Sequence, residues 1–154
     1  MAIEVGQEAP DFEIPDQDGN KVKLSAFRGK SNVVIVFYPF TFTGVCTGEL
    51  CELRDDIAAY QSSNAQVLAV SCDTRFAQKK FADEQGYNFP VLSDFWPHGE
   101  VSRAYGVFNE QLGAAMRGTF VIDKDGKVVA NFASADLGTP RAKASYDEAL
   151  AKLS

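Results

Sequence analysis

Long apolar runs and histidine are both scarce in this sequence of 154 residues, which has one histidine. The longest uninterrupted apolar run, Val33–Tyr38, has six residues, whereas a membrane-spanning helix needs about 20. We therefore expect no membrane-spanning helix and no membrane partner. The N-terminal region has neither a basic segment nor a long apolar stretch, so no secretory signal is visible and a cytoplasmic location is expected.

Basic residues are also in deficit, with 15 Lys and Arg against 21 Asp and Glu and a net charge of -6 at pH 7. An acidic surface repels phosphate backbones, so nucleic acid is not an expected partner. Hydrophobic residues make up 45% of the chain and charged residues 23%, proportions typical of a globular protein. The length predicts a single domain over residues 1–154.

Strand-like and helical segments alternate along the chain. Two short extended pieces, Phe12–Ile14 and Lys21–Leu24, flank a polar turn and predict an N-terminal β-hairpin. Apolar β-branched runs predict further strands, and apolar residues at steps of three and four predict helices. The predicted strands are Asn32–Tyr38, Ala65–Cys72, Phe89–Leu92, Thr119–Asp123 and Lys127–Phe132, and the predicted helices are Val45–Tyr60, Thr74–Gln85, Glu100–Tyr105 and Pro140–Leu153. This order predicts an α/β protein with a mixed central sheet and helices on both faces, most simply a thioredoxin-like fold.

Cysteine is scarce too, and the odd number of three argues against a framework of structural disulfides. Cys46 follows the loop Pro39–Gly44 and stands in the first turn of a predicted helix. Unpaired backbone N–H groups and the helix dipole favour a thiolate there. The hydroxyls of Thr41, Thr43 and Thr47 can bond a thiolate or an incoming oxygen. Position alone leaves two interpretations open, a reactive thiolate or a small buried residue at a helix start.

The longer string around Cys46 carries a family resemblance. Residues 39–46 read Pro-Phe-Thr-Phe-Thr-Gly-Val-Cys, which resembles the P-x-x-x-T-x-x-C signature of peroxiredoxins and directly follows an apolar strand, as it does in that family. Further matching segments lie at residues 6–12, at Glu49 and at residues 117–123. The stretch 93–107 is similar to the AhpE-type peroxiredoxins, a one-cysteine group.

The resemblance implies roles for several residues. Cys46 would be the peroxidatic cysteine, whose thiolate attacks one oxygen of a hydroperoxide and becomes a sulfenic acid. Thr43 and nearby backbone N–H groups would hold the peroxide in line with the sulfur, and Pro39 would shield the sulfur. Arg117 would stabilise both the thiolate and the leaving oxygen, and Glu49 would orient its guanidinium. Without the resemblance, Arg117 and Glu49 would be read as ordinary solvated charges.

An apolar wall beside the peroxide is a further expectation. Its candidate residues are Phe40, Phe42, Val45 and Trp96. The phenylalanines could equally belong to the core, and Trp96 could serve loop packing or a dimer contact.

Cys51 follows Cys46 by five residues, which departs from the AhpE pattern and resembles the Q-type peroxiredoxins (bacterioferritin comigratory proteins), where a resolving cysteine has this offset. In an intact helix the two Cα atoms would be about 8.6 Å apart, and a disulfide needs less than about 7 Å. An intrachain Cys46–Cys51 disulfide would therefore require the first turns to unwind, which Gly44 and Gly48 make easier. The alternative is a one-cysteine mechanism in which an external thiol or redoxin resolves the sulfenic acid and Cys51 is incidental.

Cys72 and His98 are interpreted as structural. Cys72 ends a predicted strand among apolar residues, although a role as an alternative resolving partner stays open. A thiolate activated by an arginine and a helix end needs no histidine, so His98 is not assigned as a base. The Cys and His spacings fit no common zinc module, and we expect no metal.

The resemblance implies a thiol peroxidase for hydrogen peroxide and organic hydroperoxides with no bound cofactor, in a homodimer. The external reductant would be thioredoxin, a mycoredoxin- or glutaredoxin-type protein, or a low-molecular-weight thiol. A thioredoxin-type oxidoreductase would need C-x-x-C, but Glu49 stands where the second cysteine would be. A non-catalytic binding or chaperone module is a further alternative, although nothing in the signature suggests lost turnover.

Overall fold

The structure is a computed structural model that describes residues 3–134, 136 and 138–153, so the ends of the predicted domain lie outside the described residues. The strands are β1 (Glu13–Pro15), β2 (Lys21–Lys23), β3 (Asn32–Phe37), β4 (Ala65–Ser71), β5 (Val91–Ser93), β6 (Phe108–Asn109), β7 (Ala114–Ala115), β8 (Gly118–Ile122) and β9 (Val128–Ala133). The helices are α1 (Gly44–Asp55), α2 (Ile57–Ser62), α3 (Arg75–Gln85), α4 (Glu100–Ala104) and α5 (Lys143–Ala151), with a 3₁₀ turn at Leu24–Phe27.

Five strands form the central sheet in the order β5-β4-β3-β8-β9. β3 and β5 are both parallel to β4, which lies between them, whereas β8 is antiparallel to β3 and to β9. The predicted mixed sheet is therefore confirmed. The predicted N-terminal hairpin is also present, with β1 antiparallel to β2. A second small hairpin, β6 with β7, was not predicted because two-residue strands leave no periodic signal.

Side chains of β3 alternate between two apolar clusters, one on each face of the sheet. Val34 and Val36 pack with residues of α1, α2, α3 and α5. Ile35 and Phe37 pack with the N-terminal segment and α4. All six residues of β3 are buried, which explains why Val33–Phe37 is a continuous apolar run rather than an alternating one. Helices cover both faces, as predicted.

The boundaries of α3 agree with local capping rules. Thr74 precedes the helix, and its hydroxyl accepts a hydrogen bond from the backbone N–H of Ala77 at 3.2 Å. Gly86 ends the helix in the left-handed region with φ 66°, a conformation that glycine adopts without a steric penalty. None of the described helices is both long enough and apolar enough to cross a membrane.

The predicted helix Val45–Tyr60 is wrong in one respect, because the structure has two helices there. Asp56 lies between them with φ -96° and ψ 10°, outside the helical region. Its carboxylate is 3.5 Å from the Lys143 ammonium of α5. Leu53 and Tyr60 stay buried on either side of the break, so the apolar periodicity that suggested one helix survives the interruption.

The last helix begins three residues later than the sequence predicted, at Lys143 rather than Pro140. Ala142 has an extended conformation with φ -68° and ψ 134°. The backbone N–H of Arg141 donates to the Glu49 carboxylate at 2.6 Å. Arg141, which the sequence assigned to the helix, therefore lies before it and contacts a residue 92 positions away.

We predict that Gly99→Ala destabilises the fold more than Gly29→Ala. Both glycines have positive φ, 72° and 78°, where an alanine costs about 1–2 kcal/mol. A Cβ at Gly99 would also overlap the Phe108 ring, whereas a Cβ at Gly29 meets no heavy atom within 4 Å. Overpacking adds about 1–3 kcal/mol, so urea unfolding should give Gly99→Ala a clearly lower free energy of unfolding than Gly29→Ala. Equal losses of unfolding free energy in the two variants would contradict the close approach of Gly99 and Phe108.

Candidate active site

Cys46 lies in the first turn of α1, where the sequence placed it. Thr43 precedes the helix with φ -101° and ψ 151°, and its carbonyl accepts the N–H of Thr47 at 2.9 Å. The Cys46 side chain is almost completely buried, at 1% exposure. The sulfur therefore lies at the positive end of a helix of 12 residues and is shielded from bulk water. Both conditions strengthen the attraction between a negative charge on the sulfur and nearby positive groups.

Arg117 reaches this sulfur although 71 positions separate the two residues. Its Nη2 donates to the Cys46 Sγ at 3.0 Å, and its Nη1 donates to Glu49 Oε1 at 3.3 Å. Sheet register explains the encounter, since Val36 near the end of β3 pairs with Thr119 near the start of β8. Arg117 directly precedes β8, and Cys46 begins the helix that a short loop connects to the end of β3, so both lie at the same edge of the sheet.

Arg141 is a member of the site that the sequence reasoning missed. Its Nε donates to Glu49 Oε2 at 3.0 Å, and its Nη2 also donates to the Glu49 carboxylate. Its Nη1 donates to the carbonyl of Gly118 at 2.8 Å and to the Thr119 hydroxyl at 3.1 Å. No local motif marks this arginine, and the nearest sequence signal was a Pro140 that suggested a helix start.

Glu49 is thus held between two buried guanidinium groups. Burial alone would raise the pKa of this carboxyl, but the hydrogen bonds and charge of Arg141, with the charge of Arg117, outweigh burial and lower its pKa. The Arg117 guanidinium also contacts the Cys46 sulfur, where it would stabilise a thiolate.

A cavity of about 220 Å³ opens next to the sulfur. It is lined by Pro39, Phe40, Thr43, Gly44, Val45, Cys46 and Arg117. The Thr43 hydroxyl donates to the Phe40 carbonyl at 2.7 Å. Since its single proton is used there, the Thr43 oxygen is available as an acceptor for an O–H group. The cavity therefore offers an acceptor, a cationic donor and a sulfur nucleophile to one small molecule.

Two of the sequence candidates for an apolar wall do not line this cavity. The Phe42 ring instead packs against Phe81 of α3, with ring centroids 5.2 Å apart. Trp96 lies in the segment between β5 and α4 and is 80% exposed. Thr41 also differs from the expectation, because its hydroxyl bonds to Tyr38 and Gln78 rather than facing an incoming oxygen. Phe40 and Val45 do line the cavity.

Cys51 is half-buried on α1 and contacts the last residue of α3 and the segment that follows it. Its Sγ is 3.6 Å from Gln85 Oε1 and 3.7 Å from the Tyr87 hydroxyl. The same Tyr87 hydroxyl donates to the Thr47 carbonyl at 3.2 Å. Cys46 and Cys51 are both free thiols, and the intact helix keeps them in separate surroundings.

Cys72 and His98 stand apart from the cavity lining. Burial, followed by the charge of Asp94, raises the pKa of the Cys72 thiol to about 11, so this residue stays protonated at neutral pH. The two ring nitrogens of His98 contact the backbone carbonyls of Phe95 and Gly113 at 3.1 and 2.6 Å. Within the part of the chain that the structure describes, no group of three or more His, Cys, Asp or Glu residues is arranged to hold a metal ion.

Comparisons with known proteins find similar sequences and similar structures. A sequence model of the AhpC/TSA family matches residues 5–131. Alkyl hydroperoxide reductase E of Mycobacterium tuberculosis is 50% identical over 124 residues, covering 80% of this chain and 81% of that protein. Peroxidoxin BcpB from Mycobacterium tuberculosis has a similar structure, with a TM-score of 0.86, 35% identity and coverage of 98% of this chain and 96% of that one.

AhpC from Enterococcus faecalis is also similar in structure, with a TM-score of 0.87 and 28% identity over 98% of this chain and 92% of that one. These likenesses confirm the thioredoxin-like α/β fold. They also bear out the two resemblances in the sequence, to AhpE-type and to bacterioferritin comigratory proteins.

We predict that Glu49→Gln lowers the free energy of unfolding by on the order of 3 kcal/mol at neutral pH, because it leaves buried arginines without their counter-charge. The pKa of Glu49 is lowered in the folded state, so its ionised form contributes stability above the unfolded-state value of about 4.3. That contribution is lost as pH falls through the lowered folded pKa. Urea unfolding between about pH 7 and 3 should therefore show that the difference in free energy of unfolding between the native protein and the variant becomes smaller in acid. A gap that is independent of pH would contradict the charge argument.

Proposed function

The chain belongs to the AhpC/TSA family of peroxiredoxins, which are thiol-dependent peroxidases, and on this basis we propose that Cys46 is the residue that reduces hydroperoxides. The substrates are hydrogen peroxide and organic hydroperoxides, and the product at the protein is a cysteine sulfenic acid. The contact that carries this proposal is the 3.0 Å hydrogen bond from Arg117 Nη2 to the Cys46 Sγ beside an open cavity. A buried sulfur in that position has a cationic partner and room for a small substrate.

The reaction follows from the groups around the cavity. The Cys46 thiolate attacks the terminal oxygen of the hydroperoxide, so that an S–O bond forms as the O–O bond breaks. Thr43 accepts a hydrogen bond from the hydroperoxide O–H, which sets the approach in line with the sulfur. Arg117 stabilises the negative charge that develops on the leaving oxygen. That oxygen takes a proton from solvent and leaves as water or an alcohol.

Supporting residues keep this arrangement fixed. Glu49 accepts from both Arg117 and Arg141, which restricts the rotation of the guanidinium that faces the sulfur. Pro39 lines the cavity without a backbone N–H that would compete for the peroxide. Phe40 and Val45 contribute apolar surface to the same cavity, and this surface suits the alkyl part of an organic hydroperoxide.

Two routes can return the sulfenic acid to a thiol. In the first, Cys51 attacks it and forms an intrachain disulfide with Cys46. The helix from Gly44 would have to unwind, and the bond from Tyr87 to the Thr47 carbonyl would break with it. In the second, an external thiol attacks directly. The contacts of Cys51 with Gln85 and Tyr87 favour this second route, because they hold Cys51 in place.

The external reductant in either route is thioredoxin, a mycoredoxin- or glutaredoxin-type protein, or a low-molecular-weight thiol. Peroxiredoxins need no prosthetic group, and the proposed reaction uses the chain's own sulfur. We further propose that residues 1–154 form one domain, that the protein acts as a homodimer and that it acts in the cytoplasm.

Cys46→Ser is expected to abolish peroxide turnover, because the serine hydroxyl stays protonated and is a far weaker nucleophile than a thiolate. Consumption of hydrogen peroxide with dithiothreitol as reductant measures the loss. Cys72→Ser is the matched control and should retain turnover, since Cys72 lies outside the cavity lining. Turnover by the Cys46 variant at the native rate would refute the assignment.

Cys51→Ser distinguishes the two resolution routes. After one equivalent of hydrogen peroxide, an intrachain disulfide lowers the intact mass by about 2 Da and removes two thiols. A persistent sulfenic acid raises the mass by about 16 Da and removes one thiol. If Cys51 resolves, the native protein gives the first product and Cys51→Ser the second. Identical +16 Da products from both proteins would assign resolution to an external thiol.

A further inference from the structure

A buried network of hydrogen bonds connects α3 to the loop 39–44, which joins β3 to α1. We propose that Gln78 of α3 is a positioning residue for peroxide reduction, because it fixes Thr41 and through Thr41 the cavity-lining part of this loop. The inference rests on the proposed role of Cys46. Gln78 does not line the cavity, so it acts only through the residues that it holds.

Gln78 is completely buried and uses both ends of its amide. Its Nε2 donates to the Leu92 carbonyl at 3.1 Å and to the Ser71 hydroxyl at 2.7 Å. A carbonyl can only accept, so this contact fixes which end of the amide is nitrogen. The Oε1 then accepts from the Thr41 hydroxyl at 2.6 Å and from the Tyr38 hydroxyl at 3.0 Å. Burial raises the pKa of Tyr38, which keeps its phenol protonated as a donor.

Thr41 is held a second time through its backbone. Its N–H donates to Asp73 Oδ2 at 2.9 Å, and the same oxygen accepts the Ser71 hydroxyl at 2.7 Å. Ser71 in turn accepts from Gln78. The network is therefore closed, and a change at Gln78 is transmitted to both the side chain and the backbone of Thr41.

The neighbouring residue Phe42 shows that the loop needs such support. It has φ 68°, a left-handed conformation that is sterically disfavoured for an L-residue with a Cβ and persists only where surrounding contacts enforce it. Its ring packs against Phe81, which stands three positions after Gln78 on α3. Residues three apart share a helix face, so one face of α3 holds two consecutive residues of the loop.

The residues on either side of Thr41 and Phe42 line the cavity where the peroxide is proposed to bind. Phe40 precedes Thr41, Thr43 follows Phe42, and both line the cavity. The Thr43 hydroxyl is oriented by the Phe40 carbonyl. A shift of Thr41 would therefore displace the acceptor that aligns the peroxide. The sulfur itself is held by α1 and by the hydrogen bond from Arg117, which also donates to Glu49.

Because the loop and the sulfur are held by different contacts, a positioning role predicts slower oxidation of Cys46 with little change in its alkylation, which a purely structural role would not produce. Peroxide oxidation needs an aligned substrate, whereas alkylation by iodoacetamide needs only a nucleophilic, accessible thiolate. Gln78→Met fills a similar volume and removes all four hydrogen bonds. We expect it to slow oxidation of Cys46 by hydrogen peroxide about tenfold to a hundredfold. The alkylation rate should change by less than about threefold, because the arginines and α1 are untouched.

Rapid-quench mass spectrometry of Cys46 measures both rates on the full chain. Thr41→Val should slow oxidation similarly, the double variant Gln78→Met/Thr41→Val should be no slower than either single variant, and Thr41→Ser should restore the native rate. Asn32→Leu is the matched control. Asn32 is also a buried amide that donates to a backbone carbonyl, of Ser63 at 3.1 Å, but it lies at the opposite end of β3. We expect its oxidation rate to be native.

The outcomes separate the inference from the function on which it rests. A native protein whose Cys46 does not react with peroxide would refute the proposed function and this inference with it. If hydrogen peroxide oxidises Cys46 of Gln78→Met and of Thr41→Val at the rate of the native protein, only the positioning role is refuted. Equal losses of oxidation and alkylation would also refute it, since they would mean that the network acts on the thiolate. Should Gln78→Met fail to fold, Thr41→Val and Thr41→Ser give the same comparison.

Discussion

The buried contact of Glu49 with two arginines is the interaction on which the site depends. Charged groups in a protein interior are tolerated only when each finds a partner, and here the partners come from three separate parts of the chain. Glu49 belongs to α1, Arg117 precedes β8, and Arg141 precedes α5. The carboxylate therefore joins these segments and leaves one guanidinium directed at the Cys46 sulfur.

The central sheet decides where that contact can form. Ligand sites in α/β proteins cluster beyond the carboxyl ends of parallel strands. β3 and β4 are parallel, so the loop that follows β3 and the segment that follows β4 emerge at the same edge. The first contains Thr41 and leads into α1 with Cys46, and the second contains Asp73 and leads into α3. The cavity beside Cys46 is bounded by the first segment and can therefore be supported by the second, as the proposed role of Gln78 requires.

Three cysteines in one small protein have three different environments because of what folding places around them. Cys46 receives a guanidinium hydrogen bond, whereas Cys51, one and a half helical turns further on, contacts an amide and a phenol. Cys72 is buried near Ser102 and Asp94 and has a raised pKa. Of the three cysteines, Cys46 is the one that contacts Arg117 and lines the cavity, and the proposed assignment of Cys46 depends on this arrangement.

Local features were predictable because a few neighbouring residues encode them. The apolar run Val33–Tyr38 predicted β3, the periodicity of Thr74–Gln85 predicted α3, and the string around Cys46 placed this residue at the start of α1. The partner Arg117 was reached only through the family resemblance of its segment.

What only the tertiary structure decided depends on residues far apart in sequence. Arg141 meets Glu49 across 92 positions, just before α5 begins. Thr41 turns toward Gln78 because a buried amide 37 positions away accepts its hydroxyl proton. No periodicity or motif records such pairings, since they arise when separate segments are packed together and their polar groups must find partners.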